Sequence, residues 1–324
     1  MILVFTERAD LNSRIVLSYL NDHNEPFEVF LEDDAIELEY CIKRNTFDYR
    51  VYKNHRFVCT SNQIKAVWYR RTDIQVYRFG TGEFSQEALK TYSEEHIKAR
   101  SEQIKRCFHA KKCLGKFGVG NYNKIEFLEI CTSLDIEIPS TLVTRSKEQL
   151  LDFWKDCGEE IITKSLAFPF ECINYNESGE MDSYRMGYTV PVRKPELESL
   201  PDFFDLSIFQ EKLDKLFEIR SIFLDGKIYS EAIFSQSREV AALDYRLGYD
   251  SGMRMCNYTL PEQIEKQVEQ LMTALDLNFG SLDIVVTKDK RYVFLEVNPN
   301  GQYGAVSQTT NSNVDYEVAK FLMN

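Results

Sequence analysis

Between Gly280 and Asn300 the chain reads Gly-Ser-Leu-Asp-Ile-Val-Val-Thr-Lys-Asp-Lys-Arg-Tyr-Val-Phe-Leu-Glu-Val-Asn-Pro-Asn. Two apolar, β-branched runs flank the polar stretch Lys288 to Arg291, the pattern of a tight antiparallel hairpin. Folding it about the midpoint of Asp289 and Lys290 sets Asp283 directly across from Glu296. Two carboxylates facing each other on neighbouring strands repel, at a cost of up to about 1 kcal/mol. Asn298 lies two residues beyond Glu296, hence on the same face of its strand. Two carboxylates and one amide oxygen then converge as a ligand set for a hard cation, with magnesium the best match. A solvated hairpin face with ordinary charges is the competing reading, but strands this apolar should have buried neighbours. Magnesium held in this way bridges substrate phosphates, so the hairpin alone points to nucleotide chemistry.

A chain of 324 residues exceeds one usual hydrophobic core, so two or three packed subdomains are expected. Its hydrophobic content of 44% and aromatic content of 13% specify a globular chain and exclude a disordered one. No apolar run reaches membrane-spanning length. Met1 to Phe5 passes straight into Thr6-Glu7-Arg8, too short an apolar stretch for a secretion signal, which predicts a first strand and a cytoplasmic protein. A net charge of -12 argues against nucleic acid, whose phosphates need a basic footprint. It suits a basic partner, or solubility alone. The eight cysteines contain no C-x-x-C pair and the four histidines are scattered, which disfavours zinc and predicts reduced thiols.

The first 80 residues alternate short apolar runs with amphipathic ones. Strands are predicted at Ile2 to Phe5, Pro26 to Leu31 and Ile64 to Tyr69. A helix is predicted at Asp10 to Asn21, with Leu11, Ile15, Leu17 and Leu20 on its apolar face. This is an α/β layer with a parallel sheet. Arg70 and Arg71 follow the strand Ala66 to Tyr69, at the edge where open α/β sheets place ligands; a surface arginine pair is the alternative. A long helix over Ser85 to Cys113 carries a basic stripe (Lys98, Arg100, Lys105, Arg106, Lys111, Lys112) expected to be mostly solvated. Gly115, Gly118 and Gly120 mark a boundary. They are no dinucleotide fingerprint, because no strand leads into them as that motif requires.

Beyond that boundary, Asn123 caps a helix with Ile125, Leu128, Ile130 and Leu134 apolar, and Ile138 to Thr144 forms an edge strand with its proline at the start. Ser146 to Trp154 is a helix and Glu160 to Lys164 a strand. Residues 165 to 200 read as a mobile hairpin or lid turning at Asn176 to Gly179. Its Phe168, Phe170, Tyr175, Tyr184 and Tyr188 would grip a peptide or pack between subdomains. Strands follow at Ser207 to Gln210, Phe217 to Leu224 and Lys227 to Ser235, with Asp225-Gly226 as a hairpin turn, then a helix at Pro261 to Leu275.

Taken in order, these parts resemble the ATP-grasp ligases from about residue 116 to the end. The matching pieces are Tyr122-Asn123-Lys124, Ile138 to Thr144, Ile161-Ile162-Thr163-Lys164, Phe209 to Leu213, Phe217 to Arg220, Gly280-x-x-Asp283 and Glu296-x-Asn298-Pro299-Asn300-Gly301. Asp244-Tyr245-Arg246 resembles the D-x-R motif of graspetide, or microviridin-type, peptide ligases. Val67-Trp68-Tyr69-Arg70-Arg71 and Asn298 to Gly304 look like the grasp-with-spasm branch of these maturases, which extends the likeness over nearly the whole chain. One departure is Ser165 to Phe170, which lacks the glycines many ATP-grasp enzymes place after the second lysine.

The resemblance implies an α/β and α+β protein: an ATP-grasp fold behind an N-terminal Rossmann-like pre-ATP-grasp domain, divided at 1–115, 116–205 and 206–324. It implies ATP and Mg2+, with activation of a peptide's Asp or Glu carboxylate as an acyl phosphate and ring closure onto a Ser, Thr or Lys side chain. Lys124 and Lys164 would contact phosphates, Glu211, Lys212 and Leu213 the adenine edge, and Glu218 the ribose. Arg220 and Arg246 would stabilise the transferring phosphoryl group and the acyl phosphate. Asp244 would position Arg246, assist the metal or take a proton from the nucleophile. Asp283, Glu296 and Asn298 would hold the metal, and Asn300 with Gly301 would border the acceptor carboxylate. The plainer alternatives are surface lysines, an intrastrand Glu218–Arg220 ion pair and a capping aspartate. The implied partner is a ribosomal precursor peptide, leader plus core, met by a homodimer, with no nucleic acid and no membrane. Two other functions share these residues: a ligase adding an amino acid to a peptide or protein terminus, and a catalytically silent peptide-binding homologue.

Overall fold

The computed structural model describes residues 1–76, 87–120, 122–166, 171–175, 181–186 and 188–324. The chain opens with β1 (Ile2–Phe5), α1 (Leu11–Asp22) and β2 (Phe27–Phe30). There follow β3 (Ala35–Lys43), β4 (Thr46–Lys53), β5 (Arg56–Thr60), β6 (Ala66–Tyr69), β7 (Gln75–Val76), α2 (Glu87–His109) and β8 (Cys113–Leu114). Strands β2-β1-β6-β8 form a parallel sheet, as the alternation of strand and helix patterns predicts. Both faces of it are buried. Ile2, Val4, Ala66 and Trp68 enter one core, and Leu3, Phe5, Val67 and Tyr69 enter the other.

The helix α1 turns a different face inward from the one expected. Asn12, Ser13, Val16 and Leu20 are buried, whereas Leu11 is 68% and Ile15 44% exposed. The cause is polar: Asp10 caps the helix by accepting the Ser13 amide at 3.0 Å, and Asn12 donates to Asp315 at 3.1 Å. The sequence reading passes over residues 32–63, which form an antiparallel meander, β5-β4-β3, extended by β7. The alternation Ile36-Glu37-Leu38-Glu39-Tyr40 was its signal. The basic stripe on and after α2 is exposed or half-buried, as expected, with some members paired: Arg100 with Glu37, Lys105 with Asp73 at 2.8 Å, and Lys112 4.3 Å over the Phe321 ring.

The middle of the chain supplies α3 (Lys124–Ser133), β9 (Thr141–Ser146), α4 (Lys147–Asp156), β10 (Ile161–Lys164), β11 (Glu171–Tyr175), β12 (Met181–Met186), β13 (Val190–Val192), α5 (Lys194–Ser199) and β14 (Phe203–Glu211). Asn123 and Ser146 cap α3 and α4 as expected. The antiparallel sheet runs β13-β10-β14-β9, with β9 at its edge. Strands β11 and β12 pair as a hairpin; its expected turn at residues 176–179, with Phe168 and Phe170, lies outside the described residues. The expected division at 205/206 falls inside β14. Phe127, Leu128 and Cys131 of α3 join the core of the C-terminal sheet.

That sheet is built from β15 (Lys215–Leu224), β16 (Lys227–Ile233), β17 (Met255–Tyr258), then, after α6 (Glu262–Ala274), β18 (Phe279–Thr287) and β19 (Tyr292–Asn298). Helices α7 (Gly304–Thr310) and α8 (Val314–Met323) close the chain. The strand order is β17-β16-β15-β18-β19. Asp225 and Gly226 have φ of 45° and 86°, which is why the Asp-Gly pair makes the β15–β16 turn. One face of the sheet carries Ile219, Leu282, Ile284, Phe294 and Val297 onto α6 and α3. The opposite face is split along its length. Ile222, Leu224 and Phe279 at one end share a core with β1, β6, α7 and α8, and the other end is polar. That split leaves the polar end open as one wall of a cleft, beside the junction where the first and last parts of the chain pack.

Candidate active site

The polar end of the C-terminal sheet is a row of four charged side chains on four adjacent strands. Glu231 on β16 pairs with Arg220 on β15, Arg220 with Asp283 on β18, and Asp283 with Glu296 on β19. The last pairing was predicted, but a feature absent from the prediction produces it. Near the turn the register is Val286 to Tyr292, Val285 to Val293 and Ile284 to Phe294, so the hairpin centres on Asp289. Leu295 is then skipped as a β-bulge, and Asp283 meets Glu296. Without that extra residue Glu296 and Asn298 would share the core-facing side with Tyr292 and Phe294. The bulge turns both into the site.

Asp283 is 21% exposed, and Arg220 Nη1 stands 3.7 Å from its Oδ1, an oxygen with no hydrogen-bond partner. Burial pushes its pKa up, Arg220 opposes this only in part, and Glu296 adds to it. Asn298 Oδ1 accepts the Asn300 amide at 3.0 Å, and Arg220 donates to the Tyr245 hydroxyl at 2.5 Å and to the Gln302 carbonyl at 3.3 Å. The other wall of the cleft is cationic. Lys164 on β10 has its pKa lowered to about 8, first by burial, with Lys124 and Arg246 adding to this and Glu296 opposing it. Lys124 donates to the Ser165 carbonyl at 2.7 Å, and burial lowers its pKa too. Arg246 grips Asp244 with a fork, Nε to Oδ1 at 2.8 Å and Nη2 to Oδ2 at 2.5 Å. Burial alone would raise the Asp244 pKa; the Arg246 contacts outweigh it and hold the carboxylate below its ordinary range. Asp244 also caps the 3₁₀ segment Tyr245–Ser251, so the capping alternative and the Arg246-positioning role are both present.

Between the walls lies a cleft of about 1490 Å³, lined among others by Lys124, Lys164, Glu218, Arg246, Asp283 and Glu296. That exceeds the roughly 300–1,000 Å³ that encloses one small ligand, which leaves room for two substrates. At its hinge, Glu211 accepts the Ser140 amide at 2.9 Å and Lys212 reaches Glu160 at 2.8 Å. Both side chains are thus engaged just ahead of β9 and β10, and Glu211, Lys212 and Leu213 all line the cleft. Glu218 is 5% exposed, accepts from Ser235 at 2.8 Å and pairs with Lys215 at 3.2 Å. The alternative Glu218–Arg220 ion pair is replaced by these separate partners. Asn300 and Gly301 do not line the cleft: the Asn300 amide, turned to satisfy its neighbours, donates to the Arg70 carbonyl at 3.1 Å. Gly301 packs against Ser281 so closely that a Cβ would sit 2.3 Å from the Ser281 Cβ.

No family model and no curated protein matches the sequence. Solved structures do. A RiPP-associated ATP-grasp ligase of Chryseobacterium gregarium, in complex with ADP and a leader and core peptide, aligns with a TM-score of 0.76 at 21% identity, covering 99% of this chain and 94% of that one. The macrocyclase MdnC of Microcystis aeruginosa MRC, bound with precursor peptide MdnA, gives 0.73 at 22% identity over 100% and 99% of the two chains. The ATP-grasp ligase PsnB, complexed with a phosphomimetic variant of a minimal precursor, Mg and ADP, gives 0.68 at 14% identity over 99% and 97%. The chain has the ATP-grasp fold. The expected class is therefore correct over the full length, N-terminal layer included. The cleft lies between the sheet that carries Lys164 and the sheet that carries Asp283.

Sequence reasoning singled out Arg70 but missed several other residues around this cleft. Arg70 is 1% exposed, not part of a surface pair, and reaches the loop after β19. Lys215 and Tyr245 hold Glu218 and Arg220, and Tyr245 sits inside the quoted D-x-R triplet. Glu231 is fully buried, with neither carboxylate oxygen hydrogen-bonded. Its signal was a lone charge within Ile228-Tyr229-Ser230-Glu231-Ala232-Ile233. Burial raises its pKa, with Thr309 and Arg220 opposing. A carboxyl raised in the folded state keeps its proton longer there, so stability falls as pH climbs from the ordinary carboxylate value through the raised one. Glu231→Gln is expected to flatten that fall above the ordinary carboxylate range. Thermal unfolding across the range checks it, and an unchanged slope would assign the effect elsewhere.

Proposed function

We propose that this chain is an ATP-dependent macrocyclase of a ribosomally made precursor peptide. The observation that carries this function is a cleft with an anionic wall, Asp283 and Glu296, facing a cationic one, Lys124, Lys164 and Arg246. It is set in a fold matched end to end by ATP-grasp ligases solved with precursor peptides. Burial disfavours charge on Asp283 and on Lys164 alike. The residues therefore fit a divalent cation on one side and a polyphosphate on the other. The set that would hold the cation is two carboxylates completed by the Asn298 amide; among the described residues no group of three His, Cys, Asp or Glu is placed to hold a metal. Bound there, Mg2+ would supply neutralisation of charge on the phosphates.

Lys124 and Lys164 hold the phosphates as point charges, the 211–213 backbone meets the adenine edge, and Glu218 takes the ribose hydroxyls. An Asp or Glu side-chain oxygen of the peptide attacks the γ-phosphorus, the bond to the departing ADP oxygen breaks, and an acyl phosphate results. A Ser, Thr or Lys side chain of the same peptide then adds to the acyl carbon, loses its proton and expels phosphate, leaving an ester or amide ring. Arg246, locked by Asp244, and Arg220, braced by Tyr245, stabilise the charge that develops. We assign the leader plus core peptide as partner, a homodimer as assembly, the cytoplasm as location, and units near 1–115, 116–205 and 206–324. No described helix is long and apolar enough to cross a membrane.

The deciding experiment incubates the protein, ATP and Mg2+ with a candidate precursor from a neighbouring short reading frame and weighs the product. Loss of one water per ring is expected. A gain of one residue mass would replace cyclisation with terminal ligation. ADP release with no change in the mass of any candidate precursor would remove the peptide-cyclising role.

A further inference from the structure

The sequence singled out Arg70, yet no step of the proposed chemistry uses it. Its guanidinium is buried between the N-terminal sheet and the loop that follows β19. Nε and Nη2 face Asp10 at 3.2 and 3.4 Å, and Nη2 donates to Gln302 Oε1 at 3.1 Å. Nη1 donates to two successive carbonyls, Asn300 at 2.9 Å and Gly301 at 3.1 Å. The group also stacks 5.1 Å from the centre of the Tyr303 ring. Asp10 is fixed in turn, as the cap of α1 and the partner of Arg71 at 3.4 Å.

The far end of the same loop is Asn298. Its side-chain oxygen accepts the Asn300 amide at 3.0 Å, and its carbonyl accepts the Gly301 amide at 3.1 Å. The carbonyls that Arg70 grips therefore belong to the two residues whose amides orient Asn298. We propose that Arg70 is a positioning residue for the cation site: from the N-terminal layer it clamps the Asn300–Gly301 backbone and so fixes the direction in which Asn298 faces Asp283 and Glu296. This rests on the metal assignment made under the proposed function. Interface adhesion alone is a poor account of the arginine. Ile2, Trp68, Phe279 and Tyr303 already bury apolar area at this junction, and a buried ion pair contributes little net stability for the desolvation it costs. What an arginine adds over a lysine is a planar fork able to reach Asp10, Gln302 and two carbonyls at once.

Arg70→Lys keeps the charge and loses the fork. Manganese serves as the probe, its binding followed by electron paramagnetic resonance with ADP present, beside metal-free ADP affinity and thermal unfolding. Val16→Ala, a buried change on α1 in the same core, is the comparison. Arg70→Lys is expected to weaken manganese binding roughly 10-fold or more, as loss of an outer ligand support does, with metal-free ADP affinity unchanged. Val16→Ala is expected to lower the unfolding temperature and leave manganese affinity intact. If Arg70→Lys lowers the unfolding temperature as Val16→Ala does while manganese affinity stays at the wild-type value, Arg70 is adhesion only and the proposal fails. If the wild-type protein with ADP binds no manganese, the metal assignment itself fails, a result distinct from the first.

Discussion

Asp283→Asn is expected to stop metal-dependent ATP turnover and, in the unliganded protein, to raise the unfolding temperature. The two effects have one cause. Asp283 faces Glu296 across β18 and β19, and burial disfavours its charge more than Arg220 at 3.7 Å supports it. With no cation bound, the carboxylate pair is a liability that an amide of the same shape removes. With nucleotide bound, the lost charge is the one that fits the cation, and a fall in turnover of roughly 10³-fold or more is expected. Glu296→Gln should fall as far, and the double variant little further, because the two carboxylates act as a unit. Steady-state ADP release and metal-free thermal unfolding check both halves. Unchanged turnover would remove the metal assignment. A lowered unfolding temperature would show that the Arg220 contact outweighs the repulsion.

Lys164→Met carries the second large effect. The ammonium is buried beside Lys124 with a pKa of about 8, so near that pH part of the unliganded protein has it neutral. Phosphates favour the charged form and raise the pKa, so binding takes up protons at and above about pH 8 and takes up none through this group well below it. ATP affinity should accordingly weaken as pH rises through about 8. Calorimetry in two buffers of different ionisation heat reads the uptake directly. Lys164→Met is expected to raise the ATP KM by roughly 10- to 100-fold, the worth of one charge-assisted contact, and to abolish the uptake. Persistence of the uptake in the variant would assign the proton to another group.

Much of the fold was legible because its signals are local. The caps Asn123 and Ser146 lie where the sequence puts them, the Asp225-Gly226 turn takes the φ values its residues favour, and strands β1, β6, β10 and β15 follow their apolar runs. Lys124, Lys164, Arg246, Asp283 and Glu296 were singled out by order along the chain, and they line one cleft. The Asp283–Glu296 pairing was reached by two compensating departures, a turn centred half a residue late and a bulge at Leu295 left out. Leu11 and Ile15 were assigned inward by periodicity, yet polar bonds through Asn12 and Asp10 rotate α1 and leave both exposed.

Residue types and their spacing thus determined which strands and helices form and which side chains carry charge, since propensity, capping and alternation act over a few positions. Only the tertiary structure decided which of those charges meet. The Glu231–Arg220–Asp283–Glu296 row needs strand pairings as distant in sequence as Arg220 and Asp283, and the Arg70 clamp joins residues 70 and 300. Such encounters are set by how the split face of one sheet packs against another layer of the chain, and no local pattern of residues records that.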